Sequence, residues 1–89
     1  MKSLHIINQP EKLKEALPYF TEDDGVLLIE DAVMIATHDN IKMHPKQYVL
    51  LEDLIARGLK GKANADWTLV DYPQFVALTL EYDKSVSWL

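Results

Sequence analysis

The chain is patterned around Val26-Leu27-Leu28-Ile29-Glu30-Asp31-Ala32-Val33-Met34-Ile35-Ala36, in which four apolar residues run without alternation, two carboxylates follow, and a second apolar block begins. A strand covered on both faces reads as an unbroken apolar run, as in a parallel sheet flanked by helices. The pattern therefore predicts a buried strand that leaves the sheet at Glu30-Asp31 and a helix over 32–37, with Asp31 placed to cap that helix's free amides. The helix is apolar nearly all round, and a helix without a polar face needs cover on every side. Either the loop at 38–45 supplies that cover or another subunit does.

The same grammar recurs on both sides of this stretch. Residues 3–7 predict a short first strand, and Asn8-Gln9-Pro10-Glu11 a helix start, since proline suits the first turn and glutamate the positive end of the dipole. Leu13, Ala16, Leu17 and Phe20 fall on one core-facing stripe, and Pro18, which has no proton for the Lys14 carbonyl, ends or kinks the helix. Residues 38–46 are polar, end near His44-Pro45 and read as a loop; 47–51 predict the third strand, closed again by acids, Glu52-Asp53. Leu54, Ile55 and Leu59 give the next helix its apolar side, and Gly58 suits a left-handed C-terminal cap. Residues 60–66 read as a mobile linker and 67–70 as the fourth strand. Asp71-Tyr72-Pro73-Gln74 has a capping-box layout that opens a last helix, with Phe75, Leu78, Thr79 and Tyr82 on one side and Val76 beside them. The tail 83–89 ends in Trp88-Leu89, an aromatic expected to be docked rather than loose. Strands alternating with helices place the chain, over residues 1–89 as one domain, in the α/β class: three α/β/α layers around a mainly parallel sheet of four or five strands.

Composition adds a partner to this picture. A chain of 89 residues buries only about 60–65% of its unfolded surface, yet 48% of its residues are hydrophobic, near the top of the usual range of about 45–50%. Much apolar material on little interior implies that a partner covers some of it. The net charge is −5, fourteen acidic residues against nine basic, and the densest basic pairs are Lys12 with Lys14 and Lys60 with Lys62. Direct nucleic-acid binding, which draws its affinity from basic residues on phosphates, is not expected. The absence of cysteine removes disulfides, thiolate metal sites, thiol nucleophiles and persulfide chemistry together. Met1-Lys2-Ser3-Leu4 does not resemble a signal peptide, and no run approaches the roughly 20 apolar residues that span a bilayer. A cytoplasmic protein without membrane contact is expected.

The most suggestive chemistry is the set of acids at strand ends, Glu30, Asp31, Glu52, Asp53 and Asp71. Open α/β sheets bind ligands outside the carboxyl ends of their strands, and carboxylates gathered there hold Mg²⁺ in receiver-like modules; helix capping explains the same aspartates one by one. Asn8-Gln9 stand where a receiver module has an acidic pair. His5, His38 and His44 match no zinc spacing, and the reading is a buried His5 with two loop histidines. Ser3, Ser85 and Ser87 sit in no nucleophile elbow, and Gly25, Gly58 and Gly61 form no phosphate-cradling loop. Trp67 and Trp88 read as core or interface anchors. Arg57, the sole arginine, either pairs with Glu52 or Asp53 one helical turn earlier or docks a partner's carboxylate. No catalytic residue, metal ligand or cofactor is expected. The residues expected at a partner interface are Val33, Met34 and Ile35 of the apolar helix, Arg57, and Trp88.

Two longer segments, Tyr48-Val49-Leu50-Leu51-Glu52-Asp53-Leu54-Ile55-Ala56-Arg57-Gly58-Leu59 and Val70-Asp71-Tyr72-Pro73-Gln74-Phe75-Val76-Ala77-Leu78-Thr79, resemble the DsrH/TusB family. So do Leu4-His5-Ile6-Ile7-Asn8-Gln9-Pro10, Leu27-Leu28-Ile29-Glu30-Asp31 and Val86-Ser87-Trp88-Leu89. The family comprises B-type subunits of the sulfur-relay complex, also called tRNA 2-thiouridine synthesising protein B. The resemblance implies a DsrE-like fold and assembly with homologous C- and D-type subunits into a heterohexamer. It also implies sulfur received as persulfide from a small carrier protein, and onward delivery toward thiolation of the tRNA wobble uridine or, in other organisms, toward sulfur oxidation. The carrier cysteine belongs to the D-type subunit. Some members have a cysteine of their own in the first helix, at the position aligned with Ala16 here, and its absence favours the tRNA branch and a structural role. Isolated from its siblings, the chain is expected to self-associate.

Overall fold

The computed structural model describes residues 1–38 and 46–88. The described residues form, in order, β1 (Ser3–Ile7), α1 (Lys12–Ala16), β2 (Gly25–Leu28), β3 (Lys46–Leu50), α2 (Leu51–Ala56), β4 (Thr68–Val70), α3 (Tyr72–Glu81) and β5 (Lys84–Trp88). A 3₁₀ turn, Leu17–Tyr19, extends α1, and a 3₁₀ helix, Glu30–Thr37, follows β2. The sheet runs β4-β3-β2-β1-β5 and is parallel throughout. The first four strands step across it in one direction. The last connection doubles back from one edge to the other, so α3 lies on the face opposite the other helices.

Side chains on the strands alternate between two cores accordingly. Ile7, Val26, Leu28 and Val49 pack with Leu13, Ala16 and Leu54 and with the 3₁₀ helix, whereas Leu4, Leu27, Leu50 and Val70 pack under Leu78 of α3 and Tyr82, which follows it. Every residue of β2 is buried, as its unbroken apolar run requires.

Residues 30–37 form a 3₁₀ helix in place of the expected α-helix, and this resolves the missing polar face. At three residues per turn, side chains eclipse every third position. Asp31, Met34 and Thr37 form the outward column, while Ala32 with Ile35 and Val33 with Ala36 form two inward columns. Period three makes a one-sided element from a sequence that looks all-apolar at period 3.6.

Local chemistry elsewhere follows the residues. The α-helical part of α1 stops at Ala16, two residues before Pro18, and the chain tightens into 3₁₀. After α2, Gly58 takes φ +68°, the Leu59 amide reaches the Leu54 carbonyl at 2.8 Å and the Gly58 amide that of Ile55 at 3.0 Å, which together make a Schellman motif. Residues 60–66, expected as a mobile linker, are tied down by Asn64. Its amide donates to the Ala36 carbonyl at 2.8 Å and its side chain to that of His38 at 2.7 Å. The tail is a strand: β5 pairs with β1, setting Val86 beside His5 and Trp88 beside Ile7.

Candidate functional site

At the carboxyl edge of the sheet the strand-end acids do gather, and Asp31, Glu52, Asp53 and Asp71 each commit an oxygen to a neighbouring group, while Glu52 Oε1 is buried without a partner. Asp53 and Glu52, in the first turn of α2, reach sideways to the strand ends on either side. Asp53 Oδ2 accepts the Glu30 amide at 2.6 Å and Glu52 Oε2 the Tyr72 amide at 3.1 Å. Because β3 lies between β2 and β4, these two carboxylates tie three adjacent strand exits together. Asp71 caps α3 through a capping box: its Oδ1 accepts the Gln74 amide and Gln74 Oε1 accepts the Asp71 amide, both at 2.9 Å. Asp31 does not cap the helix it opens; its Oδ1 accepts from Arg57 Nε at 3.0 Å. That also replaces the expected pairing of Arg57 with Glu52 or Asp53. The pair is exposed and is worth well under about 1 kcal/mol. No group of three or more His, Asp or Glu placed to hold a metal ion occurs among the described residues.

Glu30 sits at φ +50°, in the left-handed region that costs a non-glycine residue roughly 1–2 kcal/mol. The bend this allows turns the chain from β2 into the 3₁₀ helix, and the Asp53 carboxylate on the Glu30 amide holds it there.

The opposite edge holds a buried polar network. Asp24, preceding β2, and His5 of β1 are 3 % and 4 % exposed. Asp24 Oδ1 accepts the Ser3 amide at 2.9 Å; Oδ2 accepts the Thr21 amide at 3.0 Å and lies 2.9 Å from His5 Nε2. Trp88 Nε1 lies 3.1 Å from His5 Nδ1. An indole nitrogen only donates, so Nδ1 must accept and Nε2 must carry the proton it donates to Asp24. Burial alone would raise the Asp24 carboxyl, but the Ser3 amide, the His5 ring, and the Thr21 amide and hydroxyl together hold it below its ordinary value. Tyr19 and Phe20 pack on the Trp88 and His5 rings, and a cavity of about 360 Å³, lined by His5 and Asp24 together with Tyr19, Lys84 and Trp88, opens beside them. Both ring nitrogens of His5 are occupied, so the imidazole offers no free lone pair to a substrate. It fastens β5 and the turn before β2 to β1.

The residues expected at a partner interface are placed apart. Val33 is wholly buried and Ile35 nearly so, inside the chain's own core. Met34 is 46 % exposed on the outward column of the 3₁₀ helix. Arg57 bonds Asp31, and Trp88, half-buried, bonds His5. Ala16 is fully buried among core residues. His38 is exposed, and His44 lies outside the described residues. The sequence reading missed an outward apolar stripe on α3, where Tyr72, Val76 and Leu80 are 51 %, 60 % and 81 % exposed. Their spacing, i, i+4 and i+8, in a helix whose one charged residue is Glu81, was the available signal.

A family model described as DsrH like protein matches residues 8–85. Protein TusB of Escherichia coli (strain K12) is 40% identical over 78 residues, covering 81% of this chain and 82% of its own length. Protein TusB of Buchnera aphidicola subsp. Acyrthosiphon pisum (strain 5A) is 37% identical over 73 residues, 75% of this chain and 77% of its own.

Proposed function

This chain belongs to the DsrH/TusB family, and on that premise we propose that it is a non-catalytic, structural subunit of a sulfur-relay complex acting in 2-thiolation of the tRNA wobble uridine. The observation that carries the reading is chemical. A relay that moves persulfide sulfur needs a thiol at each covalent station, and this sequence has none. The resemblance places the cysteine that some members carry at Ala16, which here is packed within the core. Among the described residues the buried acid–base pair is His5 with Asp24, and both of its imidazole nitrogens are engaged, one by Asp24 and one by Trp88. In this reading the subunit assembles with homologous C- and D-type subunits in a heterohexamer, meets the small sulfur carrier only indirectly, and works in the cytoplasm without touching nucleic acid itself. Net charge −5 suits protein contacts better than phosphate contacts. Among the described residues no helix is long and apolar enough to cross a membrane. Of the interface residues expected from sequence, Met34, Arg57 and Trp88 keep accessible atoms.

The test is to expose the isolated chain, and the chain co-purified with its C- and D-type companions, to a carrier loaded with radiolabelled persulfide. The expected result is label on the D-type subunit of the complex and none on this chain after non-reducing separation. Covalent label on this chain, or thiolation of tRNA by this chain alone, overturns the reading.

A further inference from the structure

The sheet is covered unequally. One face carries α1, the 3₁₀ helix and α2; among the described residues the other carries α3. A helix of 10 residues is about 15 Å long and about 10 Å wide, while a sheet of five strands is about 19 Å across at its backbones. Ile6, Ile29 and Tyr48, on the strand side facing α3, are accordingly only partly buried. The helix itself then presents Tyr72, Val76 and Leu80 to solvent in one line along its axis.

From this we infer that the outward stripe of α3 is a docking surface for a different, companion subunit, one that brings an apolar helix flanked by lysine or arginine. The inference rests on the proposed function and names the surface on which assembly occurs. Apolar side chains at i, i+4 and i+8 match the ridge that a second helix packs against. The rim selects the occupant. Asp71 stands at the start of the stripe and Glu81 at its end. Two copies pairing about a two-fold axis with α3 helices antiparallel would set Asp71 of one copy near Glu81 of the other. Acid would meet acid at both ends, on top of the −5 charge that each copy carries. A basic rim on a different chain converts those repulsions into attractions and speeds docking.

The experiment co-expresses the full chain with its C- and D-type companions and measures complex mass and affinity by sedimentation and native mass spectrometry. Val76→Glu and Leu80→Glu, both solvent-facing, are expected to keep the circular dichroism and melting temperature of the isolated chain while weakening assembly roughly tenfold or more. Glu81→Lys is expected to slow association several-fold at low salt, with the difference fading at high salt. If both apolar variants assemble like the parent chain, the docking surface is wrong while the structural-subunit reading stands. If the parent chain forms a homodimer that Val76→Glu dissolves, the occupant is a second copy and the inference falls. If the parent chain joins no companion, the proposed function fails and this inference with it.

Discussion

Replacing Asp24 with asparagine tests whether the buried network at the amino edge of the sheet holds the fold together. The carboxylate accepts from the Ser3 amide, the Thr21 amide and His5 Nε2. An asparagine side chain has one accepting oxygen and one donating nitrogen. Oriented at best, its oxygen keeps Thr21 and His5, while its amino group faces the Ser3 amide donor to donor. The variant thus loses one charge-assisted hydrogen bond, worth about 1.5–3 kcal/mol, and strands a buried amide at about 1–3 kcal/mol. Partial relaxation of the turn brings the expected loss to about 3 kcal/mol. For 89 residues, total stability is on the order of 5–13 kcal/mol, so the loss is a large share of the whole. Urea unfolding at pH 7 followed by circular dichroism reads it as a fall in midpoint at unchanged slope. The same network sets an acid limit. Because the Asp24 carboxyl is held below its ordinary 3.8 in the folded chain, its stabilisation is fully present above the unfolded-state value and is lost as pH falls through the folded-state value. The parent chain should therefore lose stability below about pH 4 more steeply than Asp24→Asn. A loss under about 1 kcal/mol at pH 7, or parallel acid profiles, would refute the reasoning.

Other positions give sharper local tests. Gly25→Ala places a Cβ 2.7 Å from Tyr82 Cζ, forces that buried ring off its seat, and should lower stability by about 1–3 kcal/mol in the same urea assay. Glu30→Gly relieves the left-handed φ of +50° while keeping the amide that Asp53 accepts; against glycine's added unfolded-state freedom, a net gain of about 0.5–1 kcal/mol is expected by thermal melting. Trp88→Phe keeps an aromatic side chain but removes the proton donated to His5 Nδ1, costing about 1–2 kcal/mol and speeding amide exchange along β5. Arg57→Ala removes an exposed pair and should shift stability by less than about 1 kcal/mol.

How much of this was legible in the sequence depends on the reach of each interaction. Asp71-Tyr72-Pro73-Gln74 announces a capping box and Gly58 a left-handed cap because both act within a turn of their own positions, and both stand as read. The buried central strand was equally plain, since burial on both faces writes itself as an apolar run. Asp31, Glu52 and Asp53 misled because their partners lie in neighbouring elements, 20 to 26 residues away, beyond any local pattern. The 3₁₀ helix hid behind the assumption of period 3.6; at period three, the column Asp31, Met34 and Thr37 separates cleanly. Alternation in Ser85-Val86-Ser87-Trp88 is a strand signal of period two, obscured by its place in an apparent tail. The stripe on α3 is harder to read because Leu78 and Tyr82 already account for the helix's buried side, and periodicity does not separate a second apolar face from an extension of the first.

The pairing of β5 with β1 carries a consequence for how the chain reaches its native state. Ser3 and Lys84 are register partners, so β1 waits for β5, a strand far along the sequence, before its outer edge is satisfied. Until then, β1 offers unpaired amides and carbonyls beside Leu4 and Ile6, the kind of template on which nascent chains aggregate. Closure at such long sequence separation is slow for entropic reasons. A variant ending before Lys84 should therefore accumulate in inclusion bodies even though most of its core sequence is intact, and the yield of soluble full-length chain should rise as synthesis is slowed or cooled.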